Sequence, residues 1–223
     1  MWYTRTVSSS TPAATLSSRV FAARRALIAT IVLLALLTVL LLLSPAERQL
    51  GNLVKVIYLH GALARTGMLG LIVAGFLGLW ALLRPSPGAL RWSNALQVAG
   101  IVFFGLHSLL SVIPTRATWG MWIAFDEPRT RMSLQIIGVG LLVIVVRRLI
   151  DDPRFSAVAN LLLGAAVLLL NLRTGVLRHP LNPIGDSTSS AIQLYYAGIL
   201  LTCAALTGLL AWWLATRDKE HSS

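Results

Sequence analysis

Residues 31–43 read IVLLALLTVLLLL, and this stretch decides the class of fold. It contains no charge, no glycine and no proline, and its apolar character extends over Ala22–Leu43. A helix needs about 20 mostly apolar residues to cross the hydrocarbon core of a bilayer. Within lipid the backbone must satisfy its own hydrogen bonds, which a helix does within one segment. The stretch therefore predicts a membrane-spanning helix.

Five further runs along the chain have the same character. Pro-rich or acidic segments separate them, at Arg84–Gly88 and at Asp151–Pro153, and Pro114 is expected to close the third span. The sequence therefore predicts an all-α membrane protein with six transmembrane helices in a single domain, 1–223. The five further runs are Val54–Leu83, Ala95–Ile113, Met132–Val146, Ala157–Leu172 and Ile192–Leu214.

Composition supports a bilayer environment. Apolar residues make up 56% of the chain and charged residues 12%, against about 25% charged residues in soluble domains. The net charge is +11, but the basic residues lie between apolar runs, which favours anionic lipid or an anionic ligand over nucleic acid. The single cysteine, Cys203, excludes an internal disulfide and a cysteine-based zinc or iron–sulfur site.

The loop charges predict the orientation. With the N-terminus inside, eleven Lys and Arg residues fall in inner segments and seven in outer ones. Because cytoplasmic loops carry the excess of positive charge, we expect both termini in the cytoplasm, with a cytoplasmic N-terminal segment, 1–21, and a cytoplasmic tail, 215–223. The outer cations either bind an anion or are simply tolerated; they are Arg48, Lys55, Arg116, Arg129, Arg131, Arg173 and Arg178.

Three features share the outer side in this topology: His60 near the start of the second span, a tryptophan-rich loop at 114–131, and His179 in the last outer loop. Two imidazoles can supply both axial ligands of a haem iron. Aromatic rings can pack on a porphyrin, and arginines suit its propionates. The alternatives are structural histidines and an aromatic belt at the membrane interface.

Two polar residues lie deeper in the spans. His107, in the third span, is either a hydrogen-bonded histidine between helices or a further ligand. Arg65, in the second, is either functional or snorkels to the outer headgroups. We expect the span glycines to allow close helix packing; they include Gly67, Gly70, Gly75 and Gly78.

Two segments resemble a known family. The segment Val54–His60, VKVIYLH, is similar to the K-I-x-Y-x-H stretch that opens the second helix of CcmC-type haem proteins. The segment Trp119–Asp126, WGMWIAFD, resembles the WGxWWxWD signature of the cytochrome c assembly, or WWD, family. Ile123 and Phe125 stand where that signature has tryptophan, and Arg129 lies one residue later than its arginine. With six spans and a histidine before the last, the resemblance covers about 22–214.

The resemblance implies haem handling in cytochrome c biogenesis. Haem b would be held non-covalently and transiently at the outer face of the cell membrane. His60 and His179 would ligate it, and Trp119, Trp122, Asp126 and Arg129 would contact it. The haem would pass to a haem chaperone or towards apocytochrome c, beside ABC-transporter-like subunits. The protein itself would form no covalent bond, so we do not expect an enzyme.

Two other function classes stay open. A b-type cytochrome anchor of an electron-transfer complex would place histidine ligands within the spans, where only His107 fits. A small permease or structural subunit without haem would make the arrangement of histidines and tryptophans accidental. A second ligand pairing, His60 with His107, is also open, since the third span ends at the same face.

Overall fold

The computed structural model describes residues 16–178 and 184–221. Within these residues it forms six helices, each long and apolar enough to span a membrane, which confirms the predicted all-α membrane fold. The helices are α1 (Leu16–Leu43), α2 (Leu53–Leu83), α3 (Pro87–Trp119), α4 (Pro128–Ile150), α5 (Pro153–Arg173) and α6 (Ser190–His221).

The predicted end of the third helix was wrong. Pro114 does not close the third helix but lies inside α3, so the expected loop at 114–131 shrinks to 120–127. Proline removes only one backbone donor, and its φ near −65° is itself helical, so the helix can continue. Helix α6 extends through residues 215–221, and α1 already starts at Leu16, because polar residues can prolong a helix beyond the hydrocarbon.

Local signals explain where the helices start and stop. Ser86 and Asp152 each precede a proline and accept a hydrogen bond from the backbone three residues later, which caps α3 and α5. Gly120 ends α3 with φ of 73°, a left-handed conformation that glycine adopts without strain. The tryptophan-rich segment therefore leaves α3 abruptly.

Helix α2 lies at the centre of the bundle, in contact with α1, α3, α5 and α6. Its glycines allow this. A Cβ on Gly67 would lie 2.7 Å from the backbone nitrogen of Phe104 in α3, and one on Gly78 would lie 2.7 Å from the carbonyl oxygen of Ala157 in α5. The prediction that the span glycines permit close packing is confirmed.

The α2–α3 contact repeats every seven residues on both helices. Ser93 donates to the carbonyl oxygen of Ala74 at 2.7 Å. Seven residues along each helix, a Cβ on Gly100 would lie 2.9 Å from the carbonyl oxygen of Gly67. Another seven residues along each helix, the ring of His60 contacts the ring of His107. A seven-residue repeat keeps one stripe of each helix facing the other, so the register of these two helices places the two histidines together.

Because consecutive helices run in opposite directions, one end of the bundle holds the ends of α1, α3 and α5 and the starts of α2, α4 and α6. We call it the Trp119 end. Helix α1 lies at the periphery: only 11% of the span Ala23–Leu43 is buried, against 44% of α2. An apolar groove of about 590 Å³ runs between α1, α2, α3 and α6.

Candidate functional site

His60 and His107 form a reciprocal pair between α2 and α3. Nδ1 of His60 lies 3.2 Å from the carbonyl oxygen of His107, and Nδ1 of His107 lies 3.1 Å from the carbonyl oxygen of His60. The two ring centroids are 4.1 Å apart, and the ring of Phe104 lies 5.1 Å beyond His107. The interhelical hydrogen bond expected for His107 is confirmed.

This geometry assigns the ring protons. A backbone carbonyl only accepts hydrogen bonds, so Nδ1 of each imidazole must carry the hydrogen. In a neutral imidazole the other nitrogen, Nε2, then carries the lone pair. A histidine that ligates a metal commonly donates its other N–H to a backbone carbonyl in this way. His60 therefore has the tautomer that an Nε2 ligand requires.

The pair as it stands does not suit ligation of one haem by both rings. Axial ligands lie on opposite faces of a porphyrin, each with its nitrogen roughly 2 Å from the metal. The rings of His60 and His107 instead face each other at 4.1 Å, which leaves no room for a macrocycle between them. The alternative pairing of His60 with His107 would need the two helices to separate.

The pair lies inside the bundle, below its Trp119 end. His60 is seven residues from the start of α2, about 10 Å along the axis at about 1.5 Å per residue. Lys55 and Tyr58, which precede it, hold the α1–α2 connection: Lys55 Nζ donates to the carbonyl of Leu42 at 2.7 Å, and the Tyr58 hydroxyl donates to that of Pro45 at 3.3 Å. Tyr58 is fully buried, so it does not face a ligand here.

Arg65 turns towards the Trp119 end. Its guanidinium lies 5.1 Å from the ring centroid of Tyr196. Tyr196 is six residues from the start of α6 and Arg65 is twelve residues from the start of α2, so Tyr196 lies nearer to the Trp119 end than the backbone of Arg65 does. The side chain thus reaches outwards along the bundle, as snorkelling predicts, and gains a cation–π contact. A functional role for Arg65 stays a prediction.

The tryptophan-rich loop docks on the segment that follows α5. The carboxylate of Glu127 accepts from the backbone N–H groups of Leu177, at 3.1 Å, and Arg178, at 2.9 Å. Asp126 forms an ion pair with the Arg178 side chain. Two consecutive acids therefore hold residues 177–178 against the loop. Arg178 immediately precedes His179 in the sequence.

The two acids differ in environment. Glu127 is 2% exposed, while the Asp126 side chain is 55% exposed. The hydrogen bond from Arg178 lowers the pKa of Asp126 below its usual value near 3.8. A lowered pKa means that this ion pair is present at neutral pH and is lost only as the pH falls through that lowered value. The docking contact is thus intact across the physiological range.

Arg129, in the first turn of α4, forms a second tie to the end of α5 and the residue that follows it. Its guanidinium donates to Oδ1 of Asn171 at 3.1 Å and to the carbonyl oxygen of Thr174 at 3.3 Å. Its Nε is buried and finds no acceptor among the described residues. Two of the five N–H donors of this guanidinium are therefore engaged with the protein, and Nε is a buried donor that a ligand carboxylate would satisfy.

The loop's aromatic residues have separate roles. The guanidinium of Arg178 lies over the ring of Trp119, 5.6 Å from the ring centroid. Trp119 therefore belongs to the docking contact. Trp122 is 65% exposed and pairs with Arg116 at 5.2 Å. Phe125 is 62% exposed. The loop thus presents a flat, cation-flanked aromatic surface at the Trp119 end.

The structure brings three of the six predicted site residues, Trp119, Asp126 and Arg129, against the segment that precedes His179. His60 instead pairs with His107 between α2 and α3. His179 itself lies outside the described residues. Sequence reasoning missed Glu127 as a docking residue. The available signal was its position directly before Pro128, at the start of α4, where an acid can turn back into the loop.

Comparison with protein-family models finds no matching family, and comparison with curated proteins finds no match. The resemblance to the cytochrome c assembly family therefore rests on the motif residues themselves, in Val54–His60 and Trp119–Asp126. Among the described residues, no group of three or more His, Cys, Asp or Glu side chains gathers as a metal site.

Proposed function

We propose that this protein is a haem-binding membrane protein of cytochrome c biogenesis. It holds haem b non-covalently at the outer face of the cell membrane and delivers it to a haem chaperone or to apocytochrome c. One observation carries the proposal: Asp126 and Glu127 dock the tryptophan-rich loop on residues 177–178, directly before His179. The segments that resemble the haem family thus converge at one end of the bundle.

The donor chemistry of His60 supports the same proposal. Its Nδ1–H is donated to a carbonyl, so Nε2 is the nitrogen with ligand character. In the proposal His60 and His179 are the iron ligands, and Trp119 and Trp122 contribute aromatic surface. Arg178 is already paired with Asp126, which leaves Arg129 Nε and the exposed Arg173 for propionates.

The proposed role is transfer without covalent chemistry. A protein that passes its ligand on must bind it through contacts that can be reversed, and coordination by two imidazoles with peripheral aromatic contacts is of that kind. The partners in this proposal are a haem chaperone and ABC-transporter-like maturation subunits. The exposed loop at the Trp119 end is the surface that would meet them.

The ligand assignment is tested on purified protein by absorption and electron paramagnetic resonance spectra. Wild-type protein should show a low-spin, six-coordinate haem. His60→Ala and His179→Ala should each lose that signal, and added imidazole should restore part of it by filling the vacated position. His221→Ala, in the polar tail, is the control. A normal low-spin spectrum in His179→Ala would exclude that ligand.

The loop is tested by a neighbouring pair of substitutions. Trp122→Ala should lower haem content and cytochrome c yield, since a large aromatic contact is worth on the order of a few kcal/mol once desolvated. Ile123→Ala, in the next residue, should have a smaller effect, because Ile123 has lost the residue type of the family signature. If Trp122→Ala leaves both readouts unchanged, the loop is only an interfacial belt.

A further inference from the structure

His60 is held by His107 in two ways at once. The His107 carbonyl oxygen accepts the hydrogen of His60 Nδ1, and the His107 ring covers one face of the His60 ring at 4.1 Å. His107 is itself backed by Phe104 at 5.1 Å. The His60 imidazole therefore has a fixed proton position, a fixed ring plane and a supported stacking partner.

The reverse bond fixes the backbone. Nδ1 of His107 donates to the carbonyl oxygen of His60, which ties the first turns of α2 to α3. Seven residues further into the bundle, the contact between Gly67 and Gly100 brings the two backbones close together. Reciprocal bonds over a close glycine contact form a rigid support for one imidazole.

We propose that His107 is a positioning residue: its carbonyl oxygen fixes the tautomer of His60, and its ring, anchored by the reverse hydrogen bond, holds that carbonyl and the plane of the His60 ring in place, so that Nε2 is the nitrogen presented to haem iron. This inference rests on the proposed function. Which nitrogen of a histidine ligand binds the metal is set by the hydrogen bond that the other nitrogen makes. Loss of such a supporting partner typically costs about 10- to 100-fold in metal affinity or activity.

The test uses two substitutions of nearly equal size. His107→Asn places an amide N–H close to the position of Nδ1 and can still donate to the His60 carbonyl. His107→Leu has a similar shape but no donor. His107→Phe keeps an aromatic ring without the donor and replaces His107→Leu if that variant folds poorly. A structural role in packing alone would be met by Leu or Phe as well as by Asn.

The first readout needs no haem. Nitrogen-15 spectra of histidine-labelled protein in bilayers distinguish a protonated from an unprotonated ring nitrogen, and His60→Ala identifies the His60 signals. Wild-type protein and His107→Asn should show His60 protonated at Nδ1. His107→Leu keeps the backbone acceptor but loses the reverse hydrogen bond that holds this acceptor against His60, so it should show a mixture of tautomers. A pure Nδ1–H signal in both His107→Leu and His107→Phe would overturn the positioning role.

The second readout uses bound haem. His107→Leu should bind haem about 10- to 100-fold more weakly, with an altered low-spin resonance signal, and His107→Asn should restore both. Wild-type affinity and spectrum in His107→Leu would overturn the inference while leaving haem binding in place. If wild-type protein binds no haem, the proposed function fails, and the haem-free spectra still decide whether His107 orients His60.

Discussion

At the scale of single residues, neighbouring acids in the tryptophan-rich loop have opposite surroundings. Glu127 is buried and accepts two backbone hydrogen bonds, whereas Asp126 meets its arginine partner in solvent. A buried carboxylate depends on every hydrogen bond it makes, because water cannot replace a lost one. An exposed ion pair contributes little, since solvent screens it and the side chains lose freedom.

We therefore expect Glu127→Gln to destabilise the protein by about 1 to 3 kcal/mol. A neutral amide oxygen accepts the two backbone bonds more weakly than a carboxylate, and the amide nitrogen would face the N–H of Leu177 that now lies 3.4 Å from Oε1. Asp126→Asn, the neighbouring control, should change stability much less. Thermal unfolding in detergent measures both, and limited proteolysis after Arg173 reports release of the docked segment. Equal effects of the two substitutions would contradict the difference in burial.

At the scale of helices, the seven-residue repeat between α2 and α3 determines how close the two histidines come. Gly67 and Gly100 stand where the backbones are closest, and His60 and His107 lie two turns away on the same stripe. Close helix approach in a membrane depends on small residues at such positions, because lipid offers no hydrophobic force to push helices together.

Gly100→Ala should push α2 and α3 apart. Its Cβ would lie 2.9 Å from the carbonyl oxygen of Gly67, so a backbone must move, and overpacking of this kind costs about 1 to 3 kcal/mol. Gly105→Ala, in the same helix, has open space around its Cβ and serves as the control. Thermal unfolding should separate the two, and a stability for Gly100→Ala equal to that of Gly105→Ala would disprove the close contact.

At the scale of the whole molecule, orientation in the membrane decides what the Trp119 end can do. The bundle gathers the tryptophan-rich loop, the docked segment 177–178 and the histidine pair towards one end. The charge bias of eleven cations to seven predicts that this end faces the outside. A protein that hands haem to an extracytoplasmic acceptor needs this orientation.

A reporter fused after Ser223 should therefore read as cytoplasmic, and one inserted at Gly120 as external. The reason is the excess of Lys and Arg in segments at the opposite end of the bundle, which the membrane insertion machinery retains inside. Activity of periplasmic and cytoplasmic reporter enzymes in cells gives the measurement. An external reading after Ser223 would place the Trp119 end in the cytoplasm, where it could not meet the proposed extracytoplasmic acceptor of haem.

Much of the fold could be predicted from the sequence, because runs such as 31–43 are apolar enough to require a bilayer and a helix needs only local hydrogen bonds. Helix number followed from those runs, and the glycine positions indicated close packing. The ends of the helices could not be predicted from those runs, because a helix can continue past Pro114 and beyond the hydrocarbon.

The candidate site, like the fold, could be predicted only in part from the sequence. Residue types and their order along the chain singled out His60, His107 and the tryptophan-rich loop. Only the tertiary structure paired His60 with His107, assigned their Nδ1 hydrogens and docked Glu127 on residues 177–178. The His60–His107 contact joins residues 47 positions apart along the chain, and the Glu127–Arg178 contact joins residues 51 positions apart. Their distances depend on helix register and on one buried carboxylate, and neither of these is a local property of the chain.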